Sequence, residues 1–296
     1  DTTFLSYARE GALAHGPGVG DMKGGIIVAQ AAMSALAHVG RLDDFDIVVV
    51  HNADEEVQSP TSRDIIEQAA VDRDLCLDFE VGRPSGALVR SRAGVGRYFI
   101  GARGRSAHAG MAHADGANAV VALAEAVGRL SALTDYERGT TINVGVFRGG
   151  LRRNVVPDEA RCAVDVRIRD DAEGERVDAA IRAICSSATV PGTTLTVEGG
   201  IGRPPWRRSP ASEALVAHFL AVAEDLEMAV GAEDTGGGSD ANFVAALGVP
   251  CVDGLGPVGE FVHTDRERIH LETLTRRALL VATALLRWPG SDGAEA

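Results

Sequence analysis

Two kinds of strand that do not belong in one sheet occur in this chain, and their positions constrain the fold more than any other feature. After Asp46, the run Ile47-Val48-Val49-Val50 is continuously apolar and β-branched, the pattern of a strand covered on both faces in a parallel sheet. From Arg161 to Arg169 the residues instead alternate strictly, with Cys162, Val164, Val166 and Ile168 on one face, the pattern of an antiparallel strand covered on one side.

The elements around each strand follow its type. Near the first, Gly24 to Val39 carries Ile26, Ile27, Ala31, Met33 and Leu36 in a helical pattern, and Ser59-Pro60-Thr61-Ser62 opens a helix with Ile65, Ile66, Ala69 and Ala70 on its inner face. A strand follows at Leu75 to Phe79. After Gly202-Arg203-Pro204-Pro205 the same style resumes with a helix at Glu213 to Leu226, a glycine-rich turn, a strand at Val249 to Val252 and a last helix at Leu271 to Leu286. Around the second strand the order is strand (Tyr98 to Arg103), helix (Ala117 to Leu133), strand (Thr140 to Phe147), strand (Arg161 to Arg169), helix (Ala172 to Ser187) and strand (Thr193 to Glu198). That βαββαβ order is the ferredoxin-like split unit, an α+β domain in its own right. The expected architecture is an α/β domain in two parts, residues 1–92 and 205–296, interrupted by an inserted domain at 93–204, with a disordered tail from Pro289.

Length and charge narrow the function classes. With 296 residues the chain can bury two cores. Twenty-nine basic against 42 acidic residues, a net charge of -13, argue against sequence-independent nucleic-acid binding, which neutralises phosphates with Lys and Arg. No apolar run approaches a membrane span. Cys76, Cys162, Cys185 and Cys251 stand far apart with no CxxC pair, which argues against a cysteine zinc site and a disulfide framework and favours a reducing, cytoplasmic setting. The chain opens at Asp1-Thr2-Thr3-Phe4 without an initiator Met, so any targeting segment is unreadable.

Ligands of an open α/β sheet bind beyond the carboxyl ends of its strands, and acids recur there. Asp54-Glu55-Glu56 follows Ile47–Val50, Glu80 closes Leu75–Phe79, Asp21 ends the turn from Gly16, and His263 precedes the last helix. Singly, each suits a cap, a dipole partner or a solvated surface. Together they also suit a hard or borderline cation, zinc above all. Competing motifs fail: Gly16-x-Gly18-x-Gly20 lacks the third glycine of a dinucleotide fingerprint, Lys23-Gly24 reverses a P-loop, and Gly237-Gly238-Ser239-Asp240-Ala241 ends in Ala where a serine-hydrolase elbow has Gly.

In order, the chain carries Gly16-Pro17-Gly18-Val19-Gly20-Asp21-Met22-Lys23-Gly24-Gly25, Asp54-Glu55-Glu56, Glu80 at a strand end, Gly104-Arg105-Ser106-Ala107-His108-Ala109-Gly110, Thr235-Gly236-Gly237-Gly238-Ser239-Asp240 and His263-Thr264-Asp265. This set resembles the zinc aminoacylase/carboxypeptidase family, and within it the glutamate carboxypeptidase type, from Asp1 to about the last helix. The resemblance implies a zinc-exopeptidase-like catalytic domain with a ferredoxin-like insert as lid and dimerisation domain. It implies that Asp21 bridges two zinc ions, with a cis peptide to Met22, that Glu56 and His263 complete one metal site, and that Glu80 serves the other. Glu55 would be the general base that deprotonates the metal-activated water, a job open to one of two adjacent glutamates when the other is neutralised by metal. His108 would reach the partner subunit's active site in a homodimer and stabilise the oxyanion. Asn154 and Arg167 resemble substrate-binding positions, Arg167 through a bidentate pair with a free α-carboxylate, and the Gly237-Gly238-Ser239 backbone could hold a substrate carboxylate.

Two departures qualify the resemblance. The family's other zinc histidine stands two residues before an aspartate matched by Asp1, so it would lie upstream of residue 1, with the first strands of the catalytic sheet; His15 belongs to the Asp21 loop and cannot replace it. The parent is then expected to be active and this piece inactive or short of one metal ligand. Gln58 also replaces a small residue. The expected substrate is a small peptide or an N-acyl amino acid. Alternatives are an amino-acid-pathway deacylase or desuccinylase of the same family, or a non-catalytic protein that dimerises through the insert.

Overall fold

The alternation at Arg161 to Arg169 becomes a central strand, Glu159–Ile168, whose Ala160, Cys162, Val164, Val166 and Ile168 are buried while their neighbours face outward. In the computed structural model, which describes residues 6–289, this strand lies in an antiparallel four-stranded sheet. The order is Thr194–Arg203, Gly94–Arg103, Glu159–Ile168, Thr141–Gly149. Gly94 pairs with Ile168 and Arg103 with Glu159, fixing the register of the two inner strands. Helices Ala119–Ser131 and Asp171–Ser186 bury Leu123, Leu130, Val177 and Ile181 against the sheet. Each helix is started by a side-chain cap, Asn118 accepting from the Val121 N–H and Asp170 from the Glu173 N–H. Residues Ala93–Arg207 form this compact unit.

The second compact unit comprises the residues up to Arg92 and from Arg208 onward. Parallel pairing joins its two stretches: Cys76–Leu77 lies beside Cys251–Val252, and Leu88–Arg92 beside Ala232–Thr235. A small antiparallel sheet runs Ala8–Glu10, Leu13–His15, Arg268–His270, Gly259–Glu260. Helices Gly24–His38, Pro210–Asp225 and Leu271–Leu286 supply the core through Leu36, Leu215, Phe219, Leu280 and Val281.

Some expectations change here. Helix Gly24–His38 buries Gly25, Val28, Ala32 and Leu36, spaced about one turn apart, and leaves Ile27 exposed. In helix Arg63–Ala70 the same spacing buries Ile66 and Ala70 and puts Ile65 outside. Ile47–Val50 is not a buried strand: it pairs with no described strand, and all four side chains are exposed. A parallel strand is buried by neighbours on both sides, and the described residues provide none for it. The four cysteines are free, three buried and Cys76 half-buried. No helix among the described residues is long and apolar enough to cross a membrane. Asp1-Thr2 and the tail beyond 289 lie outside the described residues.

Candidate metal centre

The centre is built from three turns of the two-part unit. The first is Gly16 to Asp21. Gly18 sits at φ 71°, a left-handed conformation that favours glycine. At Gly25 a Cβ would lie 2.0 Å from the Phe79 carbonyl oxygen, so only glycine lets the start of the helix approach the chain next to Glu80. The Asp21–Met22 peptide is cis. Glu267, almost fully buried, accepts hydrogen bonds from the N–H groups of Gly18 (2.8 Å), Gly20 (2.8 Å) and Asp21 (3.0 Å).

The second turn, Glu55–Val57, is tied down by Asp54, whose carboxylate accepts from the Ser62 hydroxyl and from the Thr61 hydroxyl (2.6 Å) and N–H (2.8 Å). These hydrogen bonds, Ser62's foremost, hold the Asp54 carboxyl well below the usual carboxylate range. Gln58 leaves this turn at φ 76°, and its Nε2 is buried with no hydrogen-bond partner among the described residues. The third turn brings His263, also at positive φ (63°).

These turns converge. His263 Nε2 lies 2.9 Å from Asp21 Oδ2 and 3.0 Å from Glu56 Oε1, and one ligand atom from each residue falls within 4.8 Å of the others. Burial raises the Asp21 carboxyl above its ordinary value, Glu56 adds to this, and His263 partly opposes it. At His263 burial acts downward, but Glu56 and Asp21 outweigh it and hold the imidazole above its usual value. Two carboxylates and one imidazole at this spacing are a donor set suited to zinc or a similar divalent ion. Glu55, half-buried, stands in the same turn as Glu56 and is not one of the three donors.

Glu80 is not in this cluster. Burial raises its carboxyl well above the usual range, Asp78 and Asp253 raise it further, Arg92 opposes them, and Asp21 is near enough to contribute. Arg92 Nε donates to the buried Asp253 at 2.5 Å. Sequence reasoning missed Glu267, Asp78, Arg92 and Asp253, because nothing local marks a loop acid or a strand-end arginine as buried.

The glycine-rich loop lies against this group. Arg92 donates to the Gly237 carbonyl at 3.3 Å, and the fully buried Ser239 hydroxyl donates to Asp78 at 2.7 Å. Asp240 does not cap the following Ala241–Ala246 helix; its carboxylate accepts from Asn52 Nδ2 and Ser59 Oγ, each at 2.6 Å. Gly237 is exposed and Gly238 half-buried.

The remaining candidates lie in the Ala93–Arg207 unit. His108, exposed, sits opposite Val155 in a short antiparallel pair, and its Nδ1 accepts from the Gly110 and Met111 N–H groups at 3.2 Å each. A neutral ring in that position carries its proton on Nε2. The exposed Asn154 offers its carbonyl to the Ala109 N–H at 3.0 Å. Arg167 forms a bidentate pair with Asp165, at 2.7 and 3.0 Å.

Residues 2–287 match the family model described as peptidase family M20/M25/M40. Carboxypeptidase G2 of Pseudomonas sp. (strain RS-16) is 31% identical over 97% of this chain and 71% of its own length. Succinyl-diaminopimelate desuccinylase of Xanthomonas oryzae pv. oryzae is 27% identical over 96% of this chain and 77% of its own length. Among solved structures, an M20 family metallo-carboxypeptidase of Sulfolobus solfataricus superposes with a TM-score of 0.75 at 18% identity, covering 94% of this chain and 78% of its own. Aminopeptidase PepT of Bacillus cereus ATCC 10987 gives 0.73 at 22% identity, covering 95% and 75%. At those identities the structures show the fold alone, an α/β catalytic domain with a separate sheet-and-helix insert. The family model spans nearly the whole chain, and the chain therefore belongs to peptidase family M20/M25/M40.

Proposed function

We propose that the protein is a metal-dependent amide hydrolase that releases a C-terminal amino acid from a small peptide or N-acyl amino acid. The observation that carries this reading is the meeting of Asp21, Glu56 and His263 beside Glu55. Membership of the family and the donor set support a metallohydrolase; zinc as the ion, and a second zinc held through Asp21 and Glu80, belong to the proposal. When bound, the metal supplies Lewis-acid polarisation and lowers the pKa of water.

The chain's own groups do the rest. Glu55, adjacent to a ligand, takes a proton and returns it to the leaving amine. His108 presents its Nε2 proton as a donor to the developing oxyanion, across a homodimer, since Nδ1 is already satisfied by Gly110 and Met111. The insert acts as a ferredoxin-like dimerisation domain; its four-strand order and the Thr141–Gly149 edge strand, with Val146 and Phe147 exposed, support this. Gly237 and Gly238 offer backbone N–H groups to the substrate. Ser239 shapes the loop through Asp78. Asn154 binds substrate, and Arg167 does so by exchanging Asp165 for a substrate carboxylate.

The carboxypeptidase name of the 31% identical relative favours peptide substrates over succinylated ones. The desuccinylase relative keeps deacylation as the second reading. Hydrolysis of dipeptides and N-acyl amino acids, followed with added zinc, separates them. Turnover of neither class by the full-length parent protein would remove the proposal.

A further inference from the structure

Glu267 is 5% exposed and forms no ion pair among the described residues, an unusual situation for a carboxylate. Its oxygens are instead satisfied by backbone: Oε2 accepts from Gly18 N–H at 2.8 Å, and Oε1 from Gly20 at 2.8 Å and Asp21 at 3.0 Å. The Glu267 carbonyl also receives the Gly16 N–H at 3.4 Å. One residue, four positions beyond His263, thus grips the turn that carries Asp21 from end to end.

We propose that Glu267 is a positioning residue: its buried carboxylate sets the shape of the Gly16–Asp21 turn and so aims Asp21 at His263 and Glu56. Metal affinity at the cluster then depends on a side chain that touches no metal. The inference rests on the metal reading of the cluster. A carboxylate is required because it only accepts. In Glu267→Gln the amide NH2 must face one of the three N–H donors, leaving it unpaired.

The test is zinc affinity by chelator competition, together with the zinc-induced rise in Tm, for wild type, Glu267→Gln and Glu267→Asp. Glu267→Gln is expected to lose about tenfold or more in affinity, as outer-sphere changes do, and to show a smaller zinc-induced Tm rise than wild type. Glu267→Asp, shorter by one methylene, is expected to lose affinity as well. A lower Tm without zinc but unchanged zinc affinity in either variant assigns Glu267 a merely structural role and overturns the proposal. Should neither variant fold, amide exchange in the wild type decides: slow exchange at Gly18, Gly20 and Asp21 supports it, and exchange as fast as an open loop overturns it. Wild-type protein that binds no zinc at all overturns the metal reading and this inference together, whereas wild-type binding that the variants share overturns this inference alone.

Discussion

His263 Nε2 stands 2.9 Å from Asp21 Oδ2 although 242 residues separate them in the chain. The approach is set from both sides. Glu267 holds the Asp21 turn through three N–H groups, and the His263 loop carries Phe261 and His263 at positive φ, 58° and 63°. Bulky residues at positive φ are uncommon and need support from their surroundings. Here the Arg266 and Arg268 guanidinium groups lie over the Phe261 ring, 4.7 and 4.9 Å from its centre, and the Thr264 N–H closes the turn onto the Phe261 carbonyl.

Glu55 and Glu56 share one turn and are assigned opposite jobs, which a pair of substitutions separates. Glu55→Gln is expected to keep zinc and lose about 10²- to 10⁴-fold in turnover, the usual contribution of a general base. Glu56→Gln is expected to lose zinc affinity itself. Metal content and kcat, measured side by side, check both; unchanged turnover in Glu55→Gln removes that residue as the base.

The glycine loop is held through Ser239, whose buried hydroxyl donates to Asp78 at 2.7 Å. Ser239→Ala leaves that carboxylate short of a donor and is expected to cost about 1–3 kcal/mol of stability. Because the loop is assigned to substrate, KM is expected to rise more than kcat falls. Denaturant melts and steady-state kinetics test the two effects separately.

Much of the insert was readable because only one face of its sheet is covered, so Cys162, Val164, Val166 and Ile168 announce the strand by alternation. In the two-part unit local pattern misled more often. The β-branched run Ile47–Val50 reads as buried yet has no described neighbour to bury it. Cys76–Leu77 and Arg268–His270 are strands of two and three residues, too short to show a period, and each has a partner far along the chain. Within the candidate centre, the motif residues Asp21, Glu56 and His263 were visible in sequence, whereas their supports were not. Glu267 acquires its role only when the Gly18 to Asp21 backbone folds onto it, and Asp240 meets Asn52 and Ser59 only in the folded chain.

Acid should weaken the insert through Glu173. Its almost fully buried carboxylate accepts from Arg176 Nε at 2.8 Å and Thr140 Oγ1 at 2.6 Å, and these bonds, Arg176's first, lower its pKa to about 2. A carboxyl lowered in the folded state adds stability above its unfolded value, near 4.5, and loses it as pH falls through about 2. Glu173→Gln is therefore expected to melt earlier than wild type at neutral pH, with the difference shrinking as pH drops through that window. Melting curves across pH check the sign.

Arg277 is 3% exposed and donates to the Gly86 carbonyl at 2.7 Å, with Nη1 unpartnered among the described residues. Burial lowers its pKa to about 10, and no acidic side chain among the described residues offsets that. Arg277→Met keeps the apolar stem and removes the buried charge, so unfolding free energy is expected to rise by about 1 kcal/mol. A lower midpoint in urea would mean that the bond to Gly86 outweighs the cost of burying the charge.

The convergence of Asp21, Glu56 and His263 on one cation is tested most directly by anomalous diffraction at the zinc edge from crystals of the zinc-loaded protein. An anomalous peak bounded by the Asp21 and Glu56 carboxylates and His263 Nε2 is the expected result. Zinc held only at other residues, or no peak between these three side chains at saturating zinc, would contradict it.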